Sequence, residues 1–239
     1  MEIKEKTIAT IVAEDFRTAS VFKKHQIDFC CGGNISIEEL CAKKNKNAAE
    51  IYADLEEISH ENKQEADFNS WELGVLATYI EHTHHHYIEE KSIYILQFLD
   101  KLIRVKGNRY PELPKINDLF RESVQELAAH MKKEELILFP YIKKMEEAKK
   151  NGVVLSKAPF GTIGNPIEMM IHDHEIEGAR FAEIANLSNN YQPPSDACNT
   201  HQVTLKMLRD FEENLHTHLH LENNILFPKA LELEKEFEV

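Results

Sequence analysis

The chain has 239 residues, enough for one large domain or a medium one with a small companion. With 42% hydrophobic and 29% charged residues it can build and solvate a core, which excludes wholesale disorder. A formal net charge of −13 disfavours a phosphate-backbone partner, no apolar run is long enough for a bilayer, and four cysteines are too few for a disulfide scaffold. The opening MEIKEKTIAT lacks the basic and apolar regions of a secretory signal. The expectation is a cytoplasmic protein with neither nucleic acid nor membrane as partner.

Eight Gly and eight Pro, with long stretches of 3.6-residue periodicity, predict an all-α protein. Residues 1–58 form a small domain of short helices, in which Ser36 with Glu39 and Asn47 with Glu50 mark helix starts. Within it IDFCCGGN places Cys30 and Cys31 before Gly32 and Gly33, whose freedom of backbone conformation suits a turn. The polar stretch 59–70 is a linker, and 71–239 is a bundle of four helices, at roughly 70–104, 115–149, 166–187 and 197–233. Loops at 106–114, 151–166 and 188–196 separate them. Asn69 with Glu72 suggests a capping box, Asn165-Pro166 a cap and first-turn proline, and Asn151-Gly152 a helix stop.

Thirteen histidines are unevenly placed, ten of them near 82–86, 130, 172–174 and 216–220. His130 opens HMKKEELILFP and His218 opens HLHLENNILFP; six of eleven positions agree, 88 residues apart. His85 and His174 repeat the pattern 89 residues apart. Each half is thus a helical hairpin, one helix carrying a His and the next carrying His-x-x-x-Glu. Two such hairpins close as a four-helix bundle.

Residues four apart share a helix face, so His130 with Glu134, and His218 with Glu222, lie on apolar stripes. Leu127, Ile137, Leu138 and Tyr141 share the first stripe, and Phe211, Leu215, Ile225 and Leu226 the second. His174 is in phase with Ile167, Met170, Ile171 and Phe181. An ionised carboxylate in such a core needs a partner, and converging imidazoles make a metal the economical one. Imidazole and carboxylate without thiolate suit Fe, Mn or Zn, and six ligands are too many for one tetrahedral zinc. Two metals with two His each, bridged by the two Glu, leave positions for oxo, hydroxo, O₂ or NO, which points to di-iron. On the first helix, the run Leu73, Leu76, Ile80 favours His84 by phase, whereas repeat spacing favours His85.

Taken with DFCCGG and the two ILFP motifs, the sequence resembles the repair-of-iron-centres family over nearly its whole length. These are iron–sulfur cluster repair proteins with a haemerythrin-like bundle. The resemblance implies His85, His130, His174 and His218 as terminal ligands of two non-haem iron ions, oxo- or hydroxo-bridged, with Glu134 and Glu222 bridging. It places His172, His216 and His220 outside the ligand set. It implies cytoplasmic repair of clusters damaged by nitrosative or oxidative stress, by supplying iron to damaged or apo iron–sulfur proteins or by reacting with NO, with NO reduction at the di-iron centre as the enzymatic activity to look for. Cys30 and Cys31 are then a reactive or metal-handling thiol pair, while Cys41 and Cys198 are packing residues. The small thiol domain invites homodimer contacts. The alternative is a haemerythrin-like module that reversibly binds or senses O₂ or NO.

Overall fold

The computed structural model describes residues 3–59, 67–156 and 158–237. They form two compact units, one made of the N-terminal segment up to Leu76 with the C-terminal segment from His216, the other of Ala77–Leu215. The described residues are helical, with only isolated bridges pairing Thr7 with Ser36 and Ala158 with Gly161. None of their helices is long and apolar enough to cross a membrane.

The first unit begins with α1 (Ile8–Glu14), α2 (Ala19–Lys24), α3 (Ile37–Lys44) and α4 (Ala48–Ser59). Both expected helix starts are made. Ser36 Oγ accepts from the Glu39 N–H at 3.1 Å, and Asn47 Oδ1 accepts from Ala49 at 3.0 Å while its amide reaches Glu50. Ile8, Val12, Phe22, Ile37 and Ile51 form the small core. Gly33 is required for space rather than for backbone angle. Its φ is not positive, but an added Cβ would lie 2.5 Å from the Phe29 carbonyl oxygen and 3.0 Å from the Ala9 nitrogen. Of the expected linker, 60–66 lie outside the described residues. Beyond them Phe68 is buried, with its ring edge-on to Phe16 and Trp71.

The remaining helices run as four rods, most of whose length lies in the second unit, while the last helix falls in the first. The first comprises α5 (Leu73–Ile80) and α6 (His86–Lys106), the second α7 (Glu112–Lys133) and α8 (Phe139–Asn151). The third is α9 (Gly164–Leu187), and the fourth α10 (Asn199–Leu221) with α11 (Phe227–Lys235). The division between units falls inside α5 and inside α10. Phe120, Phe181 and Phe211, one from each of α7, α9 and α10, pack with centroids 5.1–6.3 Å apart, and Tyr87 of α6 leans on Phe211.

Three of the rods are interrupted by single π turns, in which the N–H of His86 reaches Glu81 O, that of Phe139 reaches Glu134 O, and that of Phe227 reaches Glu222 O. In the second and fourth rods the cause is legible in Ile-Leu-Phe-Pro. Pro140 and Pro228 cannot donate, and their rings would clash with the carbonyl four residues back; the wider turn before each absorbs both conflicts. The extra residue changes the phase. Ile137, expected on the stripe of Glu134, is therefore 49% exposed; in the uninterrupted α9, Ile171 lies on the flank of the His174 stripe at 36%.

Two expected caps are corrected. Asn69 sits in a short turn capped by Asp67 and donates to the Ala13 carbonyl, so it does not cap α5. At α9 the Thr162 hydroxyl accepts from Gly164, and Asn165 instead turns its amide to Phe160 O. Gly152 ends α8 in the left-handed conformation, φ 62°, as expected.

Candidate metal centre

In the second unit His130 and Glu134 stand one turn apart on the second rod, facing His85 of the first rod and His174 of the third. All four are buried. Glu134 divides its carboxylate between two helices: Oε1 lies 3.2 Å from His130 Nε2, and Oε2 lies 3.4 Å from His85 Nε2. His174 Nε2 lies 3.0 Å from His130 Nε2, and the donor atoms of His130, Glu134 and His174 are all within 4.8 Å of one another. His85, rather than His84, presents its ring to Glu134. The π turn at Glu81–His85 defeats the phase argument made from Leu73, Leu76 and Ile80, and sends His84 toward Asn214 at 3.3 Å. Burial holds the His84 pKa down at about 4.

The electrostatics are those of a site built for a cation. Burial alone would raise the Glu134 carboxyl, but the His130 charge and the two facing imidazoles bring it well below the usual range. Burial would depress His130; the charges and hydrogen bonds of Glu134 and Asp173 prevail and push it up to about 9. Neither Glu134 oxygen accepts a hydrogen bond of good geometry, and no Lys or Arg among the described residues pairs with it. Three imidazole nitrogens around a buried carboxylate match the donor set of iron, manganese or zinc.

The nitrogens on the far sides of two rings are also engaged. His85 Nδ1 donates to Glu135 Oε1 at 3.0 Å, and His130 Nδ1 donates to Asp173 Oδ2 at 3.2 Å. Sequence reasoning missed both carboxylates. The available signal was adjacency, since each directly neighbours a candidate ligand, Glu134 or His174.

The first unit holds the duplicate. His218 Nε2 lies 3.0 Å from Glu222 Oε1, both fully buried. The next two residues grip the cysteine loop: Asn223 donates to Cys30 O, and Asn224 to Phe29 O and Cys30 O, at 3.4 Å each. His216 and His220 lie edge-on to Phe29, whereas His172 is exposed on α9. In the loop, Asp28 Oδ1 accepts from the Cys30 and Cys31 N–H groups and from the Cys30 thiol at 3.0 Å, while Oδ2 accepts from Gly32. Burial opposes the Asp28 charge, but these bonds and nearby His216 outweigh it and lower the pKa. The Cys30–Cys31 contact, burial and the Asp28 charge raise Cys30 well above an ordinary thiol. The two sulfurs are 3.6 Å apart; Cys30 is buried and Cys31 half-exposed. Cys41 is buried as expected, but Cys198 is exposed and is not a packing residue.

Residues 77–230 match the hemerythrin HHE cation binding domain, and residues 4–59 match ScdA_N, a domain of unknown function (DUF542). Over 229 residues the chain is 29% identical to the iron-sulfur cluster repair protein ScdA of Staphylococcus haemolyticus, covering 96% of this chain and 99% of that one. It is 30% identical over 234 residues to ScdA of Staphylococcus epidermidis, covering 96% and 100%. Against the iron-sulfur cluster repair protein YtfE of Yersinia pseudotuberculosis it is 29% identical over 232 residues, covering 97% and 99%. The buried His/Glu groups could hold a metal ion and lie within the residues matched by a cation-binding domain, and the chain belongs to the family of iron–sulfur cluster repair proteins with a hemerythrin HHE domain.

Proposed function

We propose that the protein holds two iron ions and restores iron–sulfur clusters damaged by nitrosative or oxidative stress in the cytoplasm. His85, His130, His174 and His218 would hold the iron through imidazole nitrogens, with Glu134 and Glu222 as the carboxylate ligands. The observation that carries this reading is Glu134, a buried carboxylate with each oxygen turned to an imidazole on a different rod. Its duplicate, His218 with Glu222, follows from the repeated His-x-x-x-Glu. Iron held by these residues would supply redox chemistry toward NO or O₂.

The chain's own contribution is to bind, to keep water out and to let iron go. Leu127, Leu138, Phe139 and Met170 are buried near the ligand positions, with Phe139 stacked on His85 at 5.7 Å. Neutral imidazoles suit iron and compensate less of its charge than carboxylates would, which favours the ferrous state in a protein whose cargo is iron for damaged or apo iron–sulfur proteins. In the cysteine loop, Cys30 stays a thiol donating to Asp28, and half-exposed Cys31 is the sulfur that meets iron or NO.

The test is iron content of anaerobically purified protein, followed by transfer of its iron to an apo cluster protein. About two irons per chain, lost in His130→Ala and His218→Ala, together with cluster formation in the acceptor, is the expected result. Zinc, no metal, or no transfer from the reduced form would overturn it. The match of 77–230 to the hemerythrin domain favours a second reading, reversible O₂ or NO binding. That reading expects a stable, visible adduct and no effect of Cys31→Ser, whereas the grip of Asn223 and Asn224 on the cysteine loop favours repair.

A further inference from the structure

We propose that Glu135 and Asp173 are positioning residues for the metal centre, each fixing the proton of one ligand imidazole on the nitrogen that faces away from Glu134. The proposal rests on the ligand set above. Its geometry spans three rods. Glu135 Oε1 takes the His85 Nδ1–H at 3.0 Å, while Oε2 is held by Lys132 at 2.6 Å, and Lys132 also reaches Glu89 of α6 at 3.2 Å. Asp173 Oδ2 on α9 takes the His130 Nδ1–H at 3.2 Å and is held by Lys133 at 3.4 Å.

The physical need is specific. A neutral imidazole carries one proton, and whichever nitrogen has it cannot bind a metal. Glu134 faces Nε2 of both rings, so a lone His85 or His130 would place its proton on Nε2, donate it to Glu134 and close the ligand position. A second carboxylate on the opposite nitrogen competes for that proton. With the proton on Nδ1, the Nε2 lone pair points at the site and the ring gains basicity as a ligand. Glu135 and Asp173 are half-buried, 13% and 31% exposed in their side chains, so their hydrogen bonds are only partly screened. The lysines are exposed, and as ion pairs they contribute little energy; their part is to hold the carboxylates in place. The repeat does not copy this device: Glu135 corresponds to Asn223, which donates to the Cys30 carbonyl instead.

The experiment compares Glu135→Ala, Glu135→Gln, Asp173→Ala and Asp173→Asn in the full chain. It reads iron(II) affinity by competition with a chelator and the visible bands of the cobalt(II)-loaded protein. The Ala variants should lose about 10–100-fold in affinity. The Gln and Asn variants still accept the Nδ1–H, so they should recover much of that loss while shifting the cobalt bands through weaker ligand basicity. Affinities of the Ala variants equal to the parent's would overturn the positioning role alone. A parent that binds neither metal would overturn the ligand set and the positioning role with it. If an Ala variant fails to fold, the conservative variants decide: bands and affinity identical to the parent's count against the role.

Discussion

His130 and His174, on neighbouring rods, point their Nε2 atoms at each other across 3.0 Å. With the His130 proton engaged by Asp173, that contact needs a shared proton or a cation, and Glu134 Oε1 beside it favours positive charge. His174→Ala is therefore expected to lower bound iron to one per chain or less. His172→Ala, two residues away but exposed, should leave metal content unchanged. Metal analysis of the two purified variants checks this. Equal loss in both would mean that α9 does not present His174 to the metal.

Gly33 and Gly152 should respond differently to alanine. At Gly33 the new Cβ meets backbone at 2.5 Å, so Gly33→Ala should destabilise the first unit by about 1–3 kcal/mol. Gly152→Ala meets nothing within 4 Å and pays only for its left-handed φ of 62°, about 1–2 kcal/mol. Denaturant titration of both variants measures the pair, and the loss should be accompanied by faster labelling of Cys30 only in Gly33→Ala.

Glu177, buried in α9, accepts from Ser123 and pairs with Arg180. Burial is the largest influence on it and leaves its pKa above the ordinary carboxyl value. A raised acid binds its proton more tightly when folded, so its stabilising contribution is full below the unfolded pKa and is lost as pH rises through the folded one. The melting temperature of the parent should therefore rise relative to Glu177→Gln as pH falls from 7 toward 4. A difference that stays flat or runs the other way would refute this assignment.

The four thiols should separate by reactivity. Cys198 is exposed and Cys31 half-exposed, so both should label in the native protein; Cys30 and Cys41, at 3% and 5% exposure, should label only on unfolding. Mass spectrometry after timed alkylation reads the order. Native labelling of Cys30 ahead of Cys31 would contradict the hydrogen bond that holds Cys30 to Asp28.

Much of this architecture was legible in the residues because helical period and local capping are short-range properties. Ser36, Asn47 and Gly152 act where their side chains or lack of one predict, since each interaction closes within three or four residues. Asn69 and Asn165 failed as caps because each found a carbonyl partner at Ala13 or Phe160, outside the helix it was expected to start. Phase arguments failed where a π turn adds a residue, at Ile137 and between His84 and His85. The proline that forces the first of these turns is visible in the sequence; its effect on facing residues is not.

By itself the sequence determined an all-α chain, a duplicated His-x-x-x-Glu element and a histidine-rich bundle core, because these follow from periodicity and spacing along single helices. Only the tertiary structure decided that His85 meets Glu134, that Glu135 and Asp173 hold the far nitrogens of two imidazoles, and that Asn223 and Asn224 hold the cysteine loop. The reason is that each of these links joins different elements, and a hydrogen bond between helices depends on their rotation and register. A single added residue in one turn rotates everything beyond it by about 100°, so neighbouring side chains exchange faces.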